Sequence, residues 1–320
     1  MSSESGPAGR ETWFTPVVQG SAGFGGLYDP IDDEAVHAAM EAAWDAGVRA
    51  FDTAPHYGVG LSEERLGRFL AQRPRAEFVL STKVGRLLVD DPSAPDHGEG
   101  FVDTPRRRRV RDYSAAGVRR SLEESLGRLG LDRVDLVLIH DPEDYLDEAV
   151  DQAAPALSAL RAEGVIGGYG VGTNHADVAV RLVQETDLDH VMIAGRYTLL
   201  DRTAADDLLP ACAERDIKVL AAGVLNSGLL VDPGIAEPYF NYEPAPPHIV
   251  AKAKHLQEIC GRYGVELRAA ALQFPRRSLA VSAVVLGSRT ADAVADSMAQ
   301  LEVEIPPTLW AELDDVAAAP

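Results

Sequence analysis

The feature that most constrains this chain is an alternation: short apolar runs recur along its 320 residues, and between them lie stretches with helical apolar spacing. An uninterrupted apolar run reads as a strand buried on both faces, and two parallel strands need a crossover, usually a helix, between them. In chain order the spacing predicts a glycine-spaced strand over 17–26 and a helix opened by Asp32 and Asp33, running to about Ala46 and ended by Gly47. A strand over 50–52, a helix capped by Ser62-Glu63-Glu64 through Leu70 and a strand over 78–83 continue the period. After a long polar segment, 84–112, come a helix from Ser114 to Leu129 and a strand over 134–139 that ends at His140. The second half predicts helices over about 147–163, from 174–176 onward and over 203–215, set between strands over 169–172, 190–194 and 217–222. Beyond a second long segment, 224–247, lie helices over 249–263 and 266–274, a strand over 281–286 and a helix from Thr290. Eight such units with no composition break predict a single-domain (β/α)8 TIM barrel over 14–320, preceded by a flexible tail over 1–13.

Charge narrows the partners. A formal net charge of −20 opposes binding to nucleic acid and to anionic membranes, which leaves a small molecule as the expected partner. No stretch approaches the roughly 20 apolar residues that span a bilayer, and the start of the chain lacks a signal-peptide pattern, so the expected location is the cytoplasm. Cys212 and Cys260, without a CxxC, suggest neither a disulfide framework nor a metal site. Oligomeric state is not legible.

In a barrel of this kind the C-terminal ends of the strands share one face, so residues distant in sequence converge there. Here those ends carry Asp52, Lys83, His140, Thr173 and Ser288, with Tyr57 on the loop just past Asp52. Taken singly, each has a bland reading: a helix cap, a solvated cation, a satisfied core histidine. Their joint occurrence favours chemistry. A phenol ionises near pH 10, so proton transfer near neutrality needs a shift of about 2 to 3 units, or roughly 3 to 4 kcal/mol. An ammonium about 4 Å away at an effective dielectric of about 20 supplies about 4 kcal/mol, so Lys83 is expected to lower the Tyr57 pKa.

The motifs Phe51-Asp52-Thr53-Ala54-Pro55-His56-Tyr57-Gly58, Ser81-Thr82-Lys83, Ile139-His140, Gly170-Val171-Gly172-Thr173-Asn174 and Leu286-Gly287-Ser288-Arg289 resemble the aldo-keto reductase superfamily. The resemblance covers about residues 20–313, and the wording around 54–63, 139–142 and 194–200 is most similar to the branch of L-fucose, D-threo-aldose and L-galactose 1-dehydrogenases, which includes pyridoxal 4-dehydrogenase. It implies a catalytic tetrad of Asp52, Tyr57, Lys83 and His140, and NAD or NADP as cofactor, with a lean to NAD. It puts Thr173 and Asn174 at the nicotinamide carboxamide, Tyr197 near the ring, Asn226, Ser227, Gly228 and Leu230 along the pyrophosphate, and Gly287, Ser288 and Arg289 at the adenosine. Three positions depart from the usual pattern: Ala194 beneath the nicotinamide, and Ala293 and Ser297 near the adenine, which weakens the case for strict NADP use.

The implied activity is oxidation of the anomeric hydroxyl of a sugar such as L-fucose or L-galactose to the lactone, Tyr57 taking the proton as hydride leaves the same carbon. The alternatives are a dehydrogenase or reductase of a non-sugar compound such as pyridoxal, and a nucleotide-sensing regulatory protein. His56 is a candidate to line the substrate pocket. The glycine runs over 20–26 and 168–172 do not complete GxGxxG and read as tight turns and close packing. The arginine run 106–109 reads as a solvated loop face, with the alternative that one arginine reaches an anionic substrate group. Trp13, Trp44 and Trp310 read as packing residues.

Overall fold

The computed structural model describes residues 14–241 and 243–318, so the expected tail and Trp13 lie outside the described residues. Eight strands close into a barrel: β1 (Val17–Gly20), β2 (Ala50–Asp52), β3 (Val79–Val84), β4 (Val134–His140), β5 (Ile166–Thr173), β6 (His190–Ala194), β7 (Lys218–Ala222) and β8 (Val281–Leu286). Each pairs in parallel with its neighbours in chain order, and β8 returns to β1. The (β/α)8 expectation holds.

Side chains alternate along a strand, so each strand serves two cores. Val18, Ala50, Leu136, Leu138, Leu220 and Val285 form one cluster, the filling of the barrel. Their neighbours Val17, Phe51, Leu80, Val137 and Ile139 join a larger cluster under the surrounding helices, where Trp44 stacks on Phe51. The helix Pro307–Ala318 was not anticipated; Leu309 and Leu313 pack with Leu256 and Ile259 of the helix Pro247–Arg262. It covers an apolar face that the eight-unit count leaves bare.

Three local expectations are corrected. The strand expected over 17–26 stops at Gly20, and Ala22–Gly25 forms a 3-10 turn. The cause is close approach: a Cβ on Gly25 would sit 2.6 Å from the Gly58 nitrogen, and Gly58 itself has φ +61. The two backbones abut, which seats the loop carrying Tyr57. Ser62 does not cap its helix, Leu61–Leu70, whose N-cap is Gly60 in the left-handed region. Instead its hydroxyl bonds the Ser21 carbonyl at 2.8 Å and lies 3.0 Å from the Thr53 hydroxyl, tying the ends of β1 and β2 together. The arginine run is not a plain loop: Arg107, Arg108 and Arg109 lie on one strand of a hairpin, Arg86–Asp90 with Arg107–Arg111, and only Arg106 and Arg108 are exposed as a solvated face would be. Arg107 donates to the Val59 carbonyl and to Glu64, and Arg109 donates to the His56 carbonyl, so two of the four arginines brace the Tyr57 loop.

Candidate active site

Strand register assembles the site. Asp52 has the inward parity of Ala50 and sits beside Ser81; Lys83 sits beside Leu138, and His140 beside Gly172. Lys83 Nζ donates to Asp52 Oδ2 at 2.6 Å and to the Thr53 carbonyl at 2.9 Å, while Ser81 donates to Asp52 Oδ1 at 2.7 Å. Both charged side chains are only 2% exposed, so the pair holds together by strong attraction and these hydrogen bonds against a large desolvation cost. The ammonium lies 4.7 Å from the centre of the Tyr57 ring and acts on its phenol electrostatically; the His140 ring is 5.8 Å from that of Tyr57. The four expected residues therefore meet at one place.

The electrostatics correct one expectation. Burial is the largest influence on Tyr57 and raises its pKa; the pull of Lys83 is smaller, and Asp52 adds to the rise. Asp52 offsets part of the Lys83 field, and burial outweighs the rest, so the phenol is not brought down. Burial opposes the ammonium, yet Asp52 and then Tyr57 outweigh that, and Lys83 titrates above its ordinary value. Tyr57 thus carries its proton at neutral pH in the free protein. Burial, helped by Arg86 and Lys83, holds His140 well below the usual histidine range, and burial with Arg86 and Arg109 brings His56 down to about 2. Both imidazoles are neutral hydrogen-bonding groups.

Above the tetrad opens a cavity of about 1030 Å³. Asp52, Tyr57, Lys83 and His140 line it, as do His56, Thr173, Asn174, Asn226, Ser227, Gly228, Gly287, Ser288 and Arg289. Two expected residues do not. Tyr197 packs its ring 5.0 Å from that of Phe274, and Leu230 is fully buried among Leu199, Leu229 and Leu256. Each is turned to packing by the apolar cluster outside the barrel, which outcompetes a polar cavity for a large side chain. None of Arg106, Arg107, Arg108 and Arg109 reaches the cavity wall.

The residues present fit a dinucleotide. Asn226 is 3% exposed, and neither polar atom of its amide has a partner among the described residues. A buried polar group without a partner is costly, so this amide is suited to a ligand. Asn226, Ser227 and Gly228 have φ of 47, 56 and 88; the Asn226 and Gly228 N–H groups close this tight turn on the Gly223 and Leu225 carbonyls, and the Ser227 N–H has no backbone partner among the described residues. A Cβ on Gly228 would meet nothing within 4 Å, so a ligand can approach its backbone. Several further cavity residues escaped the sequence reading: Phe101, Asp141, Arg268, Asp292 and Asp296. Phe101, an isolated aromatic in a polar loop, offered a signal, and its ring lies 5.1 Å from that of His56. Arg268 and Asp296 belong to different helices and offered none.

Residues 16–318 match the profile of the Aldo/keto reductase family. The chain is 45% identical over 310 residues to a D-threo-aldose 1-dehydrogenase of Pseudomonas sp, covering 94% of this chain and 93% of that protein. It is 38% identical to the pyridoxal 4-dehydrogenase of Microbacterium luteolum, with 93% of each chain covered. The L-galactose dehydrogenase of Arabidopsis thaliana is 31% identical, with 88% and 82% covered. Among solved structures, a glycerol dehydrogenase from Gluconobacter oxydans superposes with a TM-score of 0.76 at 25% identity, covering 95% of this chain and 92% of its own.

Proposed function

The chain belongs to the aldo/keto reductase family of NAD(P)-dependent oxidoreductases, and from that premise we propose that it is an aldose 1-dehydrogenase that uses NAD. The observation that carries this reading is the 45% identity, over nearly the whole of both chains, to a D-threo-aldose 1-dehydrogenase. The reaction removes two hydrogens from the anomeric carbon and its hydroxyl and leaves a lactone. When bound, the nicotinamide accepts a hydride from that carbon, and in reduction returns one.

The protein's own groups handle the proton. Tyr57, with the Lys83 ammonium 4.7 Å from its ring, takes the hydroxyl proton in oxidation and must pass it to water before the next turnover. Because Tyr57 holds its proton in the free protein, oxidation has to begin from the minor phenolate form at neutral pH. Lys83, fixed by Asp52 and the Thr53 carbonyl, stabilises that phenolate as it forms. His140, neutral, orients the substrate oxygen by a hydrogen bond, and His56 flanks it. Thr173, Asn174, Asn226, Ser227 and Gly228 would hold the cofactor along the cavity, with Gly287, Ser288 and Arg289 at its adenosine end.

NAD is favoured by charge. Arg289, the expected partner of a 2′-phosphate, is committed to the carbonyls of Leu27, Asp29 and Pro30. Arg268 is in contact with Asp296 and donates to Glu266 at 2.8 Å. Asp292 and Asp296 line the same end, where carboxylates repel a phosphate and accept hydrogen bonds from a ribose diol.

Absorbance at 340 nm tests the reading: purified protein is offered NAD and NADP separately with L-fucose, L-galactose, D-threo-aldoses and pyridoxal, and reduced cofactor with simple aldehydes. Rapid NADH formation with an aldose is the expected result. Turnover of pyridoxal or an aldehyde with silence toward every aldose would move the assignment to a non-sugar substrate. Tight cofactor binding with no turnover at all would make the protein a nucleotide sensor.

A further inference from the structure

Beside the tetrad stands a carboxylate that the proton chemistry does not use. Asp141 follows His140 at the end of β4 and lines the cavity, 27% exposed. Its placement is elaborately held. Arg86, 6% exposed, donates to Asp141 Oδ2 at 2.8 Å. The buried hydroxyl of Tyr113 donates to the backbone carbonyls of His140 at 2.5 Å and Asp141 at 2.9 Å. The Asp141 N–H donates to the Gly172 carbonyl on β5 at 2.9 Å, so the backbone on both sides of the carboxylate is fixed. Tyr113 in turn depends on Gly85, where a Cβ would lie 2.3 Å from the Tyr113 ring.

Asp141 Oδ2 also lies 3.4 Å from His140 Nε2, longer than a good hydrogen bond, and His140 is neutral, so this is contact without an ion pair. Both neighbours thus use Oδ2, and Oδ1 has no protein donor among the described residues. An aspartate present only to neutralise Arg86 would be buried with it and use both oxygens. This one instead presents a carboxylate to the cavity a single side chain away from His140, the group next to the reacting oxygen.

We propose that Asp141, held by Arg86, is a specificity-determining residue that accepts a hydrogen bond from the hydroxyl on the carbon adjacent to the reacting one, so that the site selects vicinally hydroxylated substrates. This rests on the aldose reading of the same site. An ionised acceptor binds a hydroxyl about twice as strongly as a neutral one, and a hydrogen bond to a charged group is worth about 10- to 100-fold in affinity. Substrates without the adjacent hydroxyl leave the carboxylate with water alone.

The test separates binding from turnover. Titration calorimetry on the NADH-loaded protein uses 1,5-anhydro-L-fucitol, which lacks the anomeric hydroxyl and cannot react, and its 2-deoxy counterpart. The wild-type protein is expected to bind the parent about 10- to 100-fold more tightly than the deoxy compound, and Asp141→Asn to bind the two alike. Equal binding of both compounds by the wild type, or binding of neither, overturns the proposal. If Asp141→Asn fails to fold because Arg86 loses its partner, the wild-type pair alone decides. The discrimination with no aldose oxidised would keep the hydroxyl subsite and remove the dehydrogenase reading. Oxidation of L-fucose and 2-deoxy-L-fucose with equal kcat/KM would keep that reading and remove the subsite.

Discussion

The two ends of the cavity are built in opposite ways. At the reaction end a carboxylate and an ammonium, Asp52 and Lys83, are each 2% exposed and come from adjacent barrel strands. At the far end Asp296 and Arg268 make a comparable pair at 33% and 29% exposure, on two helices outside the barrel. The difference is one of dielectric. A pair at 4 Å interacts with about 1 kcal/mol in water and about 4 kcal/mol at an effective dielectric of 20. The buried pair shapes its neighbours' ionisation and cannot lose a member cheaply, whereas the exposed pair adjusts affinity by small steps. Reaction chemistry belongs at the first end and cofactor choice at the second.

The sharpest way to break this contrast is to remove the phenol oxygen. Tyr57→Phe leaves the ring in place against His140 and Phe101 and removes the hydroxyl assigned to exchange a proton with the substrate. We expect kcat to fall about 10²- to 10⁴-fold with little change in cofactor affinity, measured by 340 nm turnover and by fluorescence titration of NADH. Because burial raises the Tyr57 pKa, the wild-type oxidation rate should climb as pH rises from 7 toward 10, and the residual rate of the variant should not. A wild-type rate in the variant would remove Tyr57 from the chemistry.

The same contrast explains what the sequence disclosed. Asp52, Lys83 and His140 stand where apolar runs end, and in a parallel barrel a run's end is a position in space. Lys83 shares the inward parity of Ser81, so strand register alone carries it to Asp52. The far end has no such rule. Whether Arg268 meets Asp296, or Arg289 spends its donors on the carbonyls of Leu27, Asp29 and Pro30, depends on how loops and helices lie across one another. Tyr197 was misplaced for the same reason: its position past β6 is visible in the sequence, but the apolar cluster that draws its ring to Phe274 is assembled from distant segments. The expected fall in the Tyr57 pKa failed on magnitude, since the lysine effect was weighed without the larger burial effect.

Acid should strike the reaction end before the far end. His56, brought down to about 2, and His140, held well below the usual range, stay neutral in the folded protein, while both gain protons near pH 6.5 when it unfolds. The unfolded state therefore binds more protons below about pH 6.5, and stability falls as pH falls. Each buried imidazole contributes up to about 1.4 kcal/mol per pH unit in that range. Urea unfolding at pH 7 and pH 5 should show this loss, and His56→Asn should remove roughly half of the histidine part. An unchanged slope in the variant would mean that His56 is protonated in the folded protein.

The smallest effect is expected at the exposed end, and it sharpens the contrast because it should respond to salt. Asp296 lines the cavity and contacts Arg268, which also pairs with Glu266. Asp296→Asn removes a negative charge that opposes a 2′-phosphate and leaves the Arg268 guanidinium with less competition. At roughly 30% exposure the change is worth about 1 kcal/mol at low ionic strength, so the ratio of kcat/KM for NADP over NAD should rise about 5-fold. Ions at 0.5 M shorten the screening distance to less than half its low-salt value, and most of that gain should disappear. The rate loss in Tyr57→Phe should be indifferent to the same salt, since Lys83 and Tyr57 interact where ions do not enter. A salt-insensitive change in cofactor preference would place Asp296 in a desolvated contact and erase the distinction between the two ends.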